Sequence, residues 1–245
     1  MFPVTWLELE NYVGYVKAIQ QLELRLLYGM YPEIITHPSE EKERLKQLID
    51  SYLYKDILAY SNIKKPGVLE KLLQALALQI GSEVSYNELA QLLQVDKNTV
   101  KSYIEILEKG FIIFTLAGFN RNLRNEIKFG KKIYFWDCGV RNMIINNFNA
   151  LDMRDDKGAL WENFIISERL KYNNYNNPFI NSYFWRSITQ QEIDYIEEEN
   201  GKVSAFEIKW SENVKVKQIS SFINNYNTEI QLINISNFRK LLMEN

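Results

Sequence analysis

EIDYIEEENGKVSAFEIK, residues 192–209, is the stretch of sequence that decides the fold. Asn200 and Gly201 at its centre predict a two-residue β-hairpin loop, because both central positions of a type I′ turn require a positive φ angle. The turn sets the register of the two strands, in which the opposed pairs are Glu199 with Lys202, Asp194 with Glu207, and Glu192 with Lys209. The sequence therefore predicts an antiparallel hairpin formed by residues 192–198 and 202–209.

The predicted hairpin has one charged face and one packed face. Side chains alternate across a strand, so the charged face carries Glu192, Asp194, Glu207 and Lys209, together with the apolar Ile196, Val203 and Ala205. The packed face carries Ile193, Tyr195, Phe206 and Ile208. The mixture of charged and apolar residues on the first face is not that of a simple wet surface.

Asp194 and Glu207 are the candidate metal ligands. Directly opposed residues have Cβ atoms roughly 4.5–5.5 Å apart, and two carboxylates held that close repel each other unless a cation or a proton intervenes. Mg²⁺ prefers oxygen ligands and keeps several waters, so Mg²⁺ is the expected cofactor. Lys209 would orient or activate a water, or stabilise a pentavalent phosphate. The alternative is a pair of solvated strand carboxylates, with a Glu192–Lys209 ion pair that adds little stability.

The elements around the hairpin alternate between helix and strand. Helices are predicted at residues 158–172 and 216–226 and near the C-terminus, and the further strands are 180–186 and 229–235. Such mixing is typical of an α/β domain with a central mixed sheet.

Residues 66–116 have a different pattern. A Leu- and Ala-rich helix is followed by a capping box at Ser85 and Glu88, and by a third helix that Asp96 caps. A strand from Phe111 to Leu116 closes the unit, and the turn before the third helix is tight. Three helices and a strand in this order predict a winged helix-turn-helix. Residues 1–62 are predicted to be helical.

A nucleic-acid surface is predicted at the start of the third helix. Lys97, Asn98 and Lys101 lie where the N-terminal end of a recognition helix would enter a major groove. Arg121, Arg124 and Lys128 lie in the most basic stretch of the chain and would neutralise phosphates beside it. The open alternative is a winged helix that only packs or binds protein, since Glu105 and Glu108 make the later turns of this helix acidic.

Composition limits the remaining function classes. The net charge of −2 shows no global bias toward nucleic acid, so any such surface must be local. Cys138 is the single cysteine, which excludes an internal disulfide, and His37 is the single histidine, which excludes a histidine metal cluster. No apolar run is long enough to span a bilayer, and no signal peptide is evident. We therefore expect a cytoplasmic protein without membrane partners.

The acidic hairpin resembles a known pattern. Asp194 followed on the next strand by Glu207-Ile208-Lys209 is similar to the core of the PD-(D/E)XK nuclease superfamily. That resemblance implies a restriction-endonuclease-like domain in which a glutamate of the first helix completes the metal site, and Glu162 occupies that place. The alternative for Glu162 is an exposed carboxylate favoured by the dipole at a helix N-terminus.

The order of motifs along the chain resembles a family of prokaryotic AAA-type ATPases. Those proteins have a P-loop domain, then a winged helix and a restriction-endonuclease-like domain of unknown function. The matching segments, in order, are Tyr31-Pro32-Glu33, residues 52–57, the winged helix, residues 132–137, 161–164 and 206–209. No Gly-x-x-x-x-Gly-Lys-[Ser/Thr] occurs, so the chain is expected to be a fragment, a truncated gene product or a degenerate copy without ATPase activity.

Three units and two functions are therefore expected. The units are residues 1–65, the remnant of an ATPase lid; residues 66–116, the winged helix; and residues 117–245, the nuclease-like domain. The first function is that of a Mg²⁺-dependent DNA phosphodiesterase with Glu162, Asp194, Glu207 and Lys209 as its catalytic residues. The second is that of a non-catalytic DNA- or protein-binding module that regulates a separate ATPase domain or protein partner.

Overall fold

The computed structural model describes residues 2–51, 63, 65–119 and 130–243 of the chain. Within these residues the protein is a mixed α/β structure with one seven-stranded sheet and about twelve helices. Part of the segment 1–62 that is predicted to be helical, including the 52–57 motif, and the basic residues Arg121, Arg124 and Lys128 lie outside the described residues. None of the described helices has the length and apolar character needed to cross a bilayer.

Five short helices precede residue 52. Their bounds are α1 Trp6–Val13, α2 Tyr15–Gln20, α3 Leu22–Tyr28, α4 Pro32–Thr36 and α5 Glu41–Leu48. Thr5 and Glu8 form a reciprocal capping box at the start of α1. Gly14, at a φ of 83°, separates α1 from α2. The helical character predicted for this segment is thus confirmed in the part that the structure describes.

The middle of the chain alternates helices with three short strands. The elements are α6 Pro66–Leu78, β1 Glu83–Val84, α7 Tyr86–Leu93, α8 Lys97–Lys109, β2 Ile113–Gly118, β3 Lys131–Phe135 and α9 Cys138–Ile144. Ser85 caps α7 and Asp96 caps α8, each by accepting the backbone N–H three residues later. The predicted cap at Asp96 is confirmed, and of the predicted capping box at Ser85 and Glu88 the structure has the half in which Ser85 accepts the Glu88 N–H.

The C-terminal part holds the long helix and the remaining strands. These elements are α10 Lys157–Asn176, β4 Asn181–Arg186, β5 Glu192–Glu199, β6 Lys202–Ile208, α11 Ser220–Tyr226, β7 Ile230–Ile233 and α12 Phe238–Met243. The strand order in the sheet is β1-β3-β2-β4-β5-β6-β7. Strands β2 and β4 pair in parallel, with Ala117 opposite Tyr183, so the sheet runs without interruption across residue 117.

The predicted hairpin is confirmed in its turn and, from Glu199 to Tyr195, in its register. Asn200 and Gly201 have φ angles of 52° and 82°, as a type I′ turn requires. The antiparallel ladder of β5 and β6 runs from Glu199 opposite Lys202 to Tyr195 opposite Phe206.

The predicted alternation fails at one position of β5. Tyr183 lies opposite Ile196 and Trp185 opposite Ile193, so two steps along β4 match three along β5. This extra residue is a β-bulge, which turns the side chains beyond it. Ile193 consequently packs in the cluster of Ile196 and Ala205, not beside Tyr195. Its predicted face was wrong, because a count along an unbroken strand contains no bulge.

The N-terminal helices share a core with the C-terminal part. Trp6 and Leu9 belong to the same hydrophobic cluster as Phe164 of α10, Phe206 of β6 and Phe238 of α12. The backbone N–H of Trp6 donates to Glu168 Oε2 at 2.6 Å, a bond across 162 residues of sequence. Residues 2–30 are therefore part of the body that holds α10 in place.

Gly201→Ala is expected to lower the free energy of unfolding by about 1–2 kcal/mol, because only glycine adopts a positive φ without cost. A Cβ at Gly201 would meet no atom within 4 Å, so the loss would come from the backbone alone. Urea denaturation measures it. Gly158→Ala is the matched control, since its Cβ also meets nothing, and alanine is the better helix former. Equal free energies of unfolding for the wild type and Gly201→Ala would contradict the expected backbone strain of alanine at position 201.

Candidate functional site

Asp194 and Glu207 meet at the side chain of Lys209. The Lys209 Nζ atom lies 3.1 Å from Asp194 Oδ2 and 2.7 Å from Glu207 Oε1. Asp194 is 5% exposed, and its Oδ2 also accepts the Ile208 N–H at 2.8 Å. Thus a backbone N–H fixes the Asp194 carboxylate just beyond the last pair of the β5–β6 ladder, and one lysine from the same strand region bridges the two carboxylates.

Glu162 joins this group from α10. Its Oε1 accepts the Tyr134 hydroxyl at 2.6 Å and lies 3.3 Å from Lys132 Nζ. The Glu162 side chain is 15% exposed, so the alternative of an exposed helix carboxylate was wrong. Packing of α10 against β3 is what aims Glu162 at the sheet.

Glu192 completes the group from the start of β5. Its Oε1 lies 2.5 Å from Lys132 Nζ, and its Oε2 lies 3.6 Å from Arg186 Nε. The alternative in which Glu192 forms an ion pair with Lys209 was wrong, because the bulge lies between Glu192 and the regular ladder and Lys132 enters from β3. Arg186 also donates to Glu83 at 2.8 Å, which links β4 to β1.

These residues form what we call the acid–lysine cluster: Lys132, Glu162, Glu192, Asp194, Glu207 and Lys209. Four carboxylates face two ammonium groups, and the nearby Arg186 and Glu83 add one charge of each sign. Burial and the charge of Asp194 raise the pKa of Glu162 to about 7. The same two causes, in the same order, raise the pKa of Glu207. The cluster is thus short of positive charge.

Both lysines of the cluster hold their protons firmly. Burial disfavours the ammonium of Lys132, but the nearby carboxylates, first Glu162 and then Glu192, outweigh it and raise the Lys132 pKa. The balance at Lys209 is similar, with Asp194 and Glu207 raising its pKa well above the usual value. Each lysine is therefore a fixed positive charge at neutral pH, and neither is a ready proton acceptor.

The donor set suits a hard cation such as Mg²⁺. Carboxylate oxygens are its preferred ligands, and one or two carboxylates with several waters are the usual shell. Within the described ranges, no three Asp, Glu, His or Cys side chains lie close enough together to form a ready-made cage. The pair Asp194 and Glu207 is the fitting set, and a cation would take the place that the Lys209 ammonium has between them.

The predicted nucleic-acid residues divide into two groups. Lys97, Asn98 and Lys101 lie exposed in the first turns of α8, and Lys101 Nζ is 3.9 Å from Glu105. Arg121, Arg124 and Lys128 lie outside the described residues. The structure therefore describes an exposed basic helix start.

Lys132 and Tyr134 belong to the site but were not predicted as site residues from the sequence. Lys132 lies within β3 and is only 2% exposed. The available signal was the position of Lys132 directly before the apolar run Ile133, Tyr134 and Phe135. Such a run indicates a buried strand, and a fully buried lysine is almost always paired.

Comparison with known proteins gives two family matches. Residues 19–151 match a family described as a domain of unknown function (DUF8612), and residues 157–239 match a second domain of unknown function (DUF4143). The second domain is found in AAA-ATPase-associated proteins. No solved structure shows a significant match.

Curated relatives are uncharacterized proteins. One from Mycobacterium tuberculosis is 28% identical over 185 residues, which cover 74% of this chain and 41% of the relative. Another from Methanocaldococcus jannaschii is 23% identical over 244 residues, which cover 93% of this chain and 53% of the relative. The chain thus spans about half the length, or less, of these relatives.

Proposed function

We propose that this chain, which belongs to the family described as a domain of unknown function (DUF8612), is a Mg²⁺-dependent DNA phosphodiesterase. The proposal rests on the chemistry of the acid–lysine cluster. The observation that carries the proposal is the shortage of positive charge around Asp194, where four carboxylates meet two lysines. A divalent cation would remove that shortage, and perturbed carboxylate pKa values cluster at functional sites.

The chain's own residues would act as follows. Asp194, held by the Ile208 N–H, and Glu207 would hold the cation. When bound, Mg²⁺ supplies a Lewis acid for the phosphoryl oxygen and a water of lowered pKa. Lys209, released from between the two carboxylates, would keep its proton and stabilise the negative charge of the transition state. Its raised pKa favours this role over removal of a proton from water.

Glu162 is the residue suited to proton transfer. A carboxyl group with a pKa of about 7 gains and loses a proton near neutral pH, which is the condition for an efficient general acid or base. Tyr134 and Lys132 hold its Oε1, so the group is oriented as well as perturbed.

Two features of the fold support the DNA part of the proposal. The order α6, β1, α7, α8, β2, β3, with β1 and β2 both paired to β3, is the element order of a winged helix. The sheet with α10 packed beside it, and acidic residues on β5 and β6, agrees with the proposed restriction-endonuclease-like fold. We further propose the AAA-type family and a cytoplasmic location, with a separate ATPase domain or protein as partner.

Cleavage of DNA is the direct test. Single-stranded, duplex and branched DNA would be incubated with the full chain in Mg²⁺, in Mn²⁺ and in EDTA. We expect cleavage with either metal and none in EDTA. Intact DNA of all three kinds in both metals would contradict the proposed activity.

Replacing both Lys97 and Lys101 with glutamate is expected to weaken DNA binding at low salt. Each lost phosphate contact lowers the slope of log affinity against log salt by about 0.9, so the double variant should lose up to about 2 units. Fluorescence anisotropy at several salt concentrations measures both quantities. Lys71→Glu, an exposed change on α6, is the control. Unchanged affinity and slope in the double variant would remove α8 from the DNA surface.

One observation favours the second candidate function, a non-catalytic DNA- or protein-binding module. Lys209 already forms ion pairs with Asp194 and Glu207 at 3.1 and 2.7 Å, so both carboxylates have a counter-ion without metal. In that case DNA binding through α8 would persist, and neither metal would change the thermal unfolding midpoint.

A further inference from the structure

Lys132 is the most buried charged group of the acid–lysine cluster. Its side chain is 3% exposed, and its Nζ lies 2.5 Å from Glu192 Oε1 and 3.3 Å from Glu162 Oε1. The ring centre of Phe184 lies 5.6 Å from the same atom and closes off another side. A buried ammonium between two carboxylates from different elements occupies the place that a cation would need to bridge them.

We propose that Lys132 is a built-in counter-ion that fills the position of a second divalent cation, so that the cluster takes one metal ion. The inference rests on the proposed function, because it concerns how the same cluster would bind metal. Glu162 and Glu192 are committed to Lys132, whereas Asp194 and Glu207 share only the more exposed Lys209. Lys132 is thus a positioning residue, which limits the number of ions and holds Glu162 in its orientation.

Differences in burial explain why one lysine gives way to a metal and the other does not. The Lys209 side chain is 38% exposed, so its ammonium can move into water when a cation arrives. Lys132 extends from β3, which lies between β1 and β2 in the sheet, and only 2% of the residue is exposed, so its ammonium cannot reach water without displacing its neighbours. Moving the Lys132 ammonium out of this site leaves Glu162 and Glu192, whose side chains are 15% and 30% exposed, without their shared counter-charge, which is destabilising.

Counting bound Mn²⁺ tests the inference. Electron paramagnetic resonance of free Mn²⁺, titrated with the full chain, gives the number of ions bound per chain. We expect one ion for the wild type and two for Lys132→Met, which keeps the volume but removes the charge. Lys132→Met combined with Glu162→Gln should return the count to one, because a single carboxylate is left at the second position.

Each outcome decides the inference. Two ions in the wild type, or no gain in Lys132→Met, would overturn it. No ion in the wild type and one in Lys132→Met would support the counter-ion while contradicting the metal site at Asp194 and Glu207. If Lys132→Met does not fold without metal, circular dichroism is recorded as Mn²⁺ is added. Recovery of the native spectrum would support the inference, and no recovery would count against it.

Discussion

Asp194→Asn is expected to reduce Mg²⁺-dependent DNA cleavage by more than about 100-fold, since even residues that only support a metal ligand cost 10–100-fold when changed. Asparagine keeps an oxygen that can accept the Ile208 N–H, which Asp194 accepts at 2.8 Å. The variant should therefore fold, and the loss should come from the missing charge. Rates of cleavage under single-turnover conditions measure the effect.

Thermal unfolding separates this result from a purely structural role of Asp194. A metal that binds only the folded state raises the unfolding midpoint, so Mg²⁺ should raise it in the wild type and leave Asp194→Asn unchanged. Glu212→Gln, an exposed change beyond β6, is the control and should respond like the wild type. If neither Mg²⁺ nor Mn²⁺ moves the wild-type midpoint, the cluster is a set of ion pairs and the second candidate function stands.

Glu162→Gln is expected to stabilise the protein at high pH by up to about 3 kcal/mol without metal. The folded chain raises the pKa of Glu162 from 4.5 to about 7 through burial and the charge of Asp194. As the pH rises between these values, the unfolded chain releases the proton and the folded chain retains it. The wild type therefore loses stability across this window and levels off above it. Glutamine carries no charge at any pH and avoids the loss.

Urea denaturation at several pH values from about 4 to 8 measures this difference. The two proteins should have nearly equal free energies of unfolding at the acidic end, where Glu162 is protonated in both the folded and the unfolded chain. The expected result is that the free energy of unfolding of Glu162→Gln exceeds that of the wild type by an amount that grows as the pH rises. A difference in free energy of unfolding that stays constant across the range would mean that Glu162 titrates normally, and that its contacts with Lys132 and Tyr134 offset burial.

Local signals explain what the sequence could predict. The Asn200-Gly201 pair carries the turn and the register, because the φ requirement is a property of two adjacent residues. Asp96 and Ser85 cap helices through bonds that reach three residues. Asp194, Glu207 and Lys209 were placed together for the same reason, since they lie within one hairpin.

Features that depend on packing could not be predicted in this way. Lys132 and Glu162 are 30 residues apart in sequence, and only the packing of α10 against β3 brings them together. The bulge in β5 follows from pairing with β4 on its far side, which no count within the hairpin includes. A metal site was predicted from the repulsion of two carboxylates, while the structure has a lysine at that point of contact.

The contact between the two ends of the chain has a consequence for synthesis on the ribosome. Trp6 packs against Phe238, and Arg239 donates two hydrogen bonds of 2.7 Å to Glu10, across 229 residues of sequence. Helix α1 therefore acquires its contacts with α12 only after the residues between them have been synthesised. Until then part of the apolar surface of Trp6 stays uncovered, and exposed apolar surface is the condition under which nascent chains aggregate or recruit chaperones.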